Sequence, residues 1–198
     1  MTVREHSEIP EPWQANILSD TSEDKKIADE LGKLRSQVQI PYLKPLPKSL
    51  DDLKLYTLVL DLDETLIHFE AGKSDGGNED EEGYYMIRPG CSKFLKDLSK
   101  LYEIVVFTAA MPDYADWILD QIDEPGYIAH RLYRQHCTPQ EDYAIKDLRN
   151  LGRDLRRTLI VDNLAENFQE TPENGIWVES WYDDLDDLVL PNLQAFLT

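Results

Sequence analysis

The run Tyr56-Thr57-Leu58-Val59-Leu60-Asp61-Leu62-Asp63-Glu64-Thr65 carries an apolar stretch directly into two acids and a hydroxyl at alternate positions, and no other segment limits the possible folds as strongly. Consecutive β-formers without a polar break read as a strand buried on both faces, the kind found in parallel sheets. Asp61 then falls where that strand leaves the sheet, and in open α/β sheets the carboxyl ends of strands are where ligands sit. Two further apolar runs end alike: Ile104-Val105-Val106-Phe107 reaches Thr108, and Thr158-Leu159-Ile160-Val161 reaches Asp162-Asn163. As parallel neighbours, the three strands gather Asp61, Asp63 and Asp162 with two hydroxyls at one edge. Like charges roughly 4 Å apart repel by about 4 kcal/mol per pair at an effective dielectric of about 20. A hard cation, a lysine or both must balance them. Carboxylates with a carbonyl and waters suit Mg2+, and Lys146, in a stretch that reads as a short helix from residue 144, is the candidate lysine.

Plainer roles stand beside these. Asp and Thr just after a strand also serve as turn and cap formers, since their side chains bond nearby backbone. Lys146 can be read as a solvated helix-face lysine, and Asn163 as a cap for the segment from Leu164. Tyr114 has a core reading with Trp117 and Ile118 at helical spacing. His68 reads as a structural hydrogen-bonding residue, and His6, His130 and His136 show no ligand spacing.

These motifs resemble those of the haloacid dehalogenase superfamily and, within it, the small phosphatases that act on the C-terminal tail of RNA polymerase II. Leu60-Asp61-Leu62-Asp63-Glu64-Thr65-Leu66 looks like the nucleophile motif, and Val106-Phe107-Thr108-Ala109 like the second motif. Lys146-Asp147-Leu148, Leu151-Gly152-Arg153-Asp154-Leu155 and Val161-Asp162-Asn163 are similar to the lysine and acidic motifs. The resemblance implies a parallel α/β fold with helices on both faces, a small insertion and no large cap. It implies a Mg2+-dependent protein serine/threonine phosphatase in which Asp61 is the nucleophile and forms an aspartyl-phosphate. Asp63 is then the general acid and base, and Thr108 and Lys146 neutralise the phosphoryl group. Mg2+ would be bound by Asp61, the main-chain carbonyl of Asp63 and Asp162, with Asn163 orienting Asp162 or a metal-bound water. Thr65 braces the nucleophile loop, and Tyr114 and Arg134 correspond to positions near the peptide groove. Two rivals are a catalytically silent binding module of the same fold and a phosphatase of small metabolites. Both acids are present, which counts against the first; the missing cap counts against the second.

Charge bears on the substrate. Of the net charge of −19, the first fifty residues, with eight acids and seven bases, account for −1, leaving −18 to the remainder. Such a surface argues against direct nucleic-acid binding and repels a phosphorylated protein or peptide at long range. Local basic groups must guide it, from among Arg88, Arg131, Arg134, Arg149, Arg153, Arg156 and Arg157, the last four expected mainly on a solvated helix and turn. No apolar run approaches the ~18 residues of a membrane span, and no secretory signal pattern opens the chain. Cys91 and Cys137 lack paired spacing, as in a reduced intracellular protein, nuclear or cytoplasmic. No feature specifies an oligomeric state.

Two domains are expected: an N-terminal extension over 1–50 and a phosphatase domain over 51–198. Residues 1–20 read as weakly structured, although Trp13, Ile17 and Leu18 have apolar surface to pack. A helix over 22–39 presents Ile27, Leu31, Leu34 and Val38 on one side, and Pro41, Pro45 and Pro47 make a stiff linker after it. Strands are expected at 56–61, 103–108, near 127–130, at 158–162 and at 176–178, with helices at 91–101, at 112–123 and from about 184. Asp183, Asp184, Asp186 and Asp187 would open that last helix, where its dipole favours negative charge. Only about eighteen residues, Phe69 to Met86, separate the first motif from Arg88-Pro89-Gly90, so an open site is expected. The glycine-rich acidic stretch over 75–83 departs from the longer, more apolar insertion of the polymerase-tail family. Leu164-Ala165-Glu166-Asn167-Phe168 departs from its serine-proline pattern.

Overall fold

The computed structural model describes residues 22–38, 41–46, 56–70 and 83–198. The centre is a parallel sheet built from β1 (Tyr56–Leu60), β4 (Tyr102–Phe107), β5 (Ile128–Leu132), β8 (Thr158–Asp162) and β9 (Gly175–Trp177), in the order β5-β4-β1-β8-β9. The three acid- or hydroxyl-tipped runs are thus immediate neighbours. Leu60 pairs with Val106 on one side and Val161 on the other, which sets the three tips at one level.

Side chains alternate across each strand, so β1 feeds two cores. Leu58 and Leu60 join Ile104 and Val106 under helices α2 (Cys91–Leu98), α3 (Pro112–Ile122) and α4 (Val189–Leu197). Val59, Val105 and Ile160 face the opposite way, against Leu148, Leu151, Phe168 and Leu43. That second face is closed by short 3-10 helices at Leu148–Asn150 and Ala165–Phe168. A two-stranded antiparallel ladder, β2 (Ile67–Glu70) with β3 (Tyr84–Ile87), leaves the nucleophile loop and packs Phe69 on Tyr114 and Tyr85 on Trp117, edge to face.

Several expectations are corrected. No helix begins at residue 144: Ala144–Ile145 is a two-residue strand, β7, paired antiparallel with β6 (Thr138–Pro139), and Lys146 follows it. Helix α2 ends at Leu98, and α4 starts at Val189. The four acids before α4 therefore lie in a loop, where Asp187 accepts from the Val189 N–H and pairs with buried Arg88. Helix α1 (Ser22–Val38) turns its apolar stripe outward, with Ile27, Leu31 and Leu34 at 52%, 45% and 57% exposure. Ala28 and Gly32 are buried instead. A Cβ at Gly32 would strike the Cys137 carbonyl, so glycine is what allows the helix to lie this close. The segment after it is no free linker. Tyr42 and Leu43 donate backbone N–H bonds to Asn150 and Leu151, and Leu43 is buried in the second core. The expectations for residues 1–20, Pro47, the Val38 side chain and the acidic stretch up to residue 82 lie outside the described residues. No helix among the described residues is long and apolar enough to cross a membrane.

Candidate active site

Strand β1 delivers Asp61 to the sheet edge with its N–H still bonded to the Val161 carbonyl, 3.0 Å away. One residue past that register, on β8, stands Asp162. Lys146 Nζ lies between them, 2.5 Å from Asp61 Oδ1 and 2.7 Å from Asp162 Oδ2. All three are buried. Lys146 reaches the two acids from the end of a short strand rather than from a helix.

Burial pushes the Asp61 carboxyl up, against the pull of Lys146, and the neighbouring Asp162 and Asp63 charges push it further. For Lys146, burial favours the neutral amine, but Asp162 and Asp61 outweigh it and hold the ammonium above its ordinary range. Two buried carboxylates share one ammonium here, so the cluster carries excess negative charge in a low-dielectric place.

Thr65 donates to Asp61 Oδ2 at 2.9 Å. Its loop is stiffened twice more. Arg88 Nη1 donates to the Thr65 carbonyl, and Glu64, at φ 56 in the left-handed region, is tied through its N–H to Ile67 O and through its carbonyl to the Trp181 N–H. A non-glycine residue held there stores about 1 to 2 kcal/mol of strain, which that loop must offset. His68 Nδ1 lies 3.0 Å from Glu64 Oε1, consistent with a structural histidine.

Asp63 is half-buried and stands apart from the lysine cluster. Tyr114 donates its hydroxyl to Asp63 Oδ1 at 2.6 Å and Thr108 reaches Oδ2 at 3.4 Å. Burial raises the Asp63 carboxyl, while those two donors and Lys146 work against the rise. Thr108 also accepts the Ala110 N–H, which fixes its rotamer at the β4 tip.

Two residues weighed from sequence have partners of their own. Asn163 makes no side-chain hydrogen bond to Asp162 among the described residues; its side chain donates to Ser180 Oγ and accepts a long bond from Thr65 Oγ1. Asn167, which the sequence did not single out, donates to both Asp162 oxygens at 3.0 and 3.2 Å. Arg134 pairs with Asp29 of α1 through Nε and Nη2 and reaches the Ala109 carbonyl through Nη1. Of the other arginines weighed as guides, Arg88 and Arg153 are buried in ion pairs, and Arg131, Arg149 and Arg156 each meet an acid. Arg153 thus belongs to the interior and not to a solvated turn.

Among the described residues, no three His, Cys, Asp or Glu side chains close around a common point. The donor set is of the open kind: two buried carboxylates, Asp61 and Asp162, with main-chain oxygen and water left to complete it. Hard oxygen donors with excess negative charge fit Mg2+, which keeps several waters and takes one or two carboxylates.

A five-stranded parallel sheet flanked by helices, with an acid-tipped central strand and a small insertion, is the haloacid dehalogenase-like α/β fold. The sequence profile of the NLI interacting factor-like phosphatases matches residues 56–198, and the chain belongs to that family of phosphatases. It is 35% identical over 181 residues to the human carboxy-terminal domain RNA polymerase II polypeptide A small phosphatase 1, covering 86% of this chain and 68% of that one. To the CTD small phosphatase-like protein 3 of Caenorhabditis elegans it is 40% identical over 152 residues, covering 72% and 53%. The structure of the fission yeast RNA polymerase II CTD phosphatase Fcp1 bound to beryllium fluoride shares the fold at a TM-score of 0.53 and 22% identity, covering 76% of this chain and 51% of that one. The chain spans roughly half to two thirds of the length of these proteins.

Proposed function

We propose that this chain is a Mg2+-dependent protein phosphatase for phosphoserine or phosphothreonine, acting through an aspartyl-phosphate on Asp61. The observation that carries it is the meeting of Asp61 and Asp162, from adjacent strand tips, on the single buried ammonium of Lys146. In the first step an Asp61 oxygen attacks phosphorus, the ester P–O bond breaks, and Asp63 gives its proton to the departing seryl or threonyl oxygen. In the second, Asp63 takes a proton from water, the resulting hydroxide attacks phosphorus, and the Asp61–phosphorus bond breaks to release phosphate. Asp61, Asp162 and the Asp63 carbonyl would hold Mg2+, which would supply Lewis-acid neutralisation of the phosphoryl oxygens when bound. Lys146 and the Thr108 hydroxyl add fixed positive and donor groups. Tyr114 acts on the general acid rather than on the peptide, because its hydroxyl is bonded to Asp63.

A phosphorylated protein segment is the proposed substrate, since only about eighteen residues, Phe69 to Met86, are available for an insertion where a large cap would sit. Arg134 guides it once freed from Asp29. The catalytic domain is residues 51–198, with 1–50 as an extension of which residues 41–46 dock into its core, in a nuclear or cytoplasmic protein. The test is turnover of p-nitrophenyl phosphate by wild type and Asp61→Asn, with Mg2+ and with EDTA. Activity that requires both Mg2+ and Asp61, falling at least about a thousandfold in the variant, supports the proposal. A well-folded, inactive wild type sinks it and favours the binding module.

A further inference from the structure

The rim of the site beyond β8 is aromatic and acidic. Trp177 ends β9 opposite Asp162 in the register, one strand spacing of about 4.8 Å further out. Its indole N–H donates to the Asn163 carbonyl at 2.8 Å, yet the residue stays 60% exposed. With its one polar atom spent, what the ring shows to solvent is apolar π surface, held beside the strand tip. From there the chain runs back to the nucleophile loop. The Trp181 N–H donates to the Glu64 carbonyl, and the Tyr182 ring, also exposed, meets His68 edge-on at 5.1 Å. Glu179 and Asp183, exposed on the same segment, give this rim negative charge.

A phosphorylated segment needs positive charge, and the bases bonded to the strand-tip loops are already engaged. Lys146 meets Asp61 and Asp162, Arg134 meets Asp29, and Arg88 meets Asp187, in a domain that carries −18. We propose that the substrate brings its own: Trp177 is a specificity-determining residue whose ring receives a Lys or Arg side chain within three positions of the phosphoserine or phosphothreonine. The inference rests on the phosphatase proposal above, and it narrows the substrate to phosphorylated segments of basic local sequence. The spacing suits it. From β1 to β9 is two strand spacings, about 9 to 10 Å, and an extended segment covers about 3.3 to 3.6 Å per residue. Tryptophan is the best aromatic partner for a cation, and the acids beside it favour a cation over a neutral apolar residue or a proline.

The test uses the full chain with MgCl2 and phosphoserine peptides of one sequence whose three flanking positions on each side are Ala, or carry Arg, Glu or Pro. Phosphate release is followed at an ionic strength of about 0.15 M, where exposed charges beyond about 8 Å are largely screened. Wild type is expected to favour the Arg peptide over the Ala peptide in kcat/KM. Trp177→Ala and Trp177→Leu, the latter keeping apolar bulk without a π face, are expected to lower that ratio by about 2- to 5-fold, the size of an exposed cation–π contact. Trp177→Phe should keep part of it. Each enzyme is read as a ratio of two peptides, so a share of misfolded molecules cancels. If Trp177→Ala does not fold, the Trp177→Leu and Trp177→Phe ratios decide. Equal use of the Arg and Ala peptides by wild type, a preference for Pro or Glu, or a ratio that survives in Trp177→Leu overturns the proposal and leaves the phosphatase standing. Wild type that hydrolyses neither p-nitrophenyl phosphate nor any peptide removes the phosphatase proposal itself, and this one with it.

Discussion

The sheet buries an acid at each of its ends, and the two are treated in opposite ways. At the amino end of β4, Glu103 is 3% exposed and receives both Arg153 Nε and Nη2, at 2.6 and 2.7 Å, together with Thr57 Oγ1 and His130. Burial alone would raise its carboxyl, but the Arg153 and His130 contacts prevail and hold it down at about 2. At the carboxyl end of β1, Asp61 is 5% exposed, shares its one ammonium with Asp162, and is pushed up. Equal burial with unequal pairing separates a structural charge from a reactive one. A fully paired carboxylate is fixed in charge and geometry, whereas an under-paired one retains affinity for a cation or a phosphoryl group.

The largest effect expected from breaking the comparison is at the paired end. Arg153→Met leaves Glu103 buried without its main partner and is expected to cost about 3 to 5 kcal/mol, measured by urea unfolding. Activity per folded molecule should be unchanged; a specific loss of activity would place Arg153 in the catalytic apparatus.

The pH dependence follows from the same pair. With a folded value of about 2 against an ordinary 4.5, Glu103 contributes stability that is complete above pH 4.5 and is lost as pH falls towards 2. The stability curve of Glu103→Gln should therefore be flatter than that of wild type across this window. An unchanged slope would mean that other carboxylates govern acid unfolding.

At the reactive end, Tyr114→Phe removes a bond that favours ionised Asp63. The pH limb reporting Asp63 should move upward by about one unit, the equivalent of a hydrogen bond worth about 1.4 kcal/mol. A downward move would exclude Asp63 as the titrating acid.

Smallest of all is the expected stability change of Asp61→Asn in EDTA. Taking one charge from two carboxylates that share one ammonium, while Lys146 keeps Asp162, should leave the melting temperature no lower than that of wild type. A drop of several degrees would show that Asp61, like Glu103, is a structural charge.

The three strand tips were legible because their signal is local: an uninterrupted apolar run announces a two-face-buried strand, and the first polar residue marks where it leaves the sheet. Lys146 was found, but its setting was misread. A strand as short as Ala144–Ile145 has no periodicity, and its pairing with Thr138–Pro139 depends on an intervening turn. Asn167 left no local signal at all, since its bond to Asp162 spans a turn that only the packing of Phe168 against Gly175 defines. The stripe on α1 left open which face of the helix docks. Its periodicity was real, yet the close approach permitted by Gly32 and the Asp29–Arg134 pair selected the neighbouring face. Acidic residues before α4 looked like a helix start because dipole arguments use charge alone. Buried Arg88 instead drew Asp187 into an ion pair.

The docking of residues 41–46 changes where the folding unit begins. The family match starts at residue 56, yet Leu43 fills the second core, Tyr42 meets Phe107 and His136 edge-on, and the Lys44 carbonyl accepts from Arg153. A protein shortened to the family match would lose a buried leucine worth about 1.5 to 3 kcal/mol. It would also strip partners from the Asn150 and Leu151 carbonyls, a few residues beyond Lys146. Weak activity or aggregation in such a truncated protein would then be an artefact of the cut, so any enzymology should retain the chain from at least Pro41.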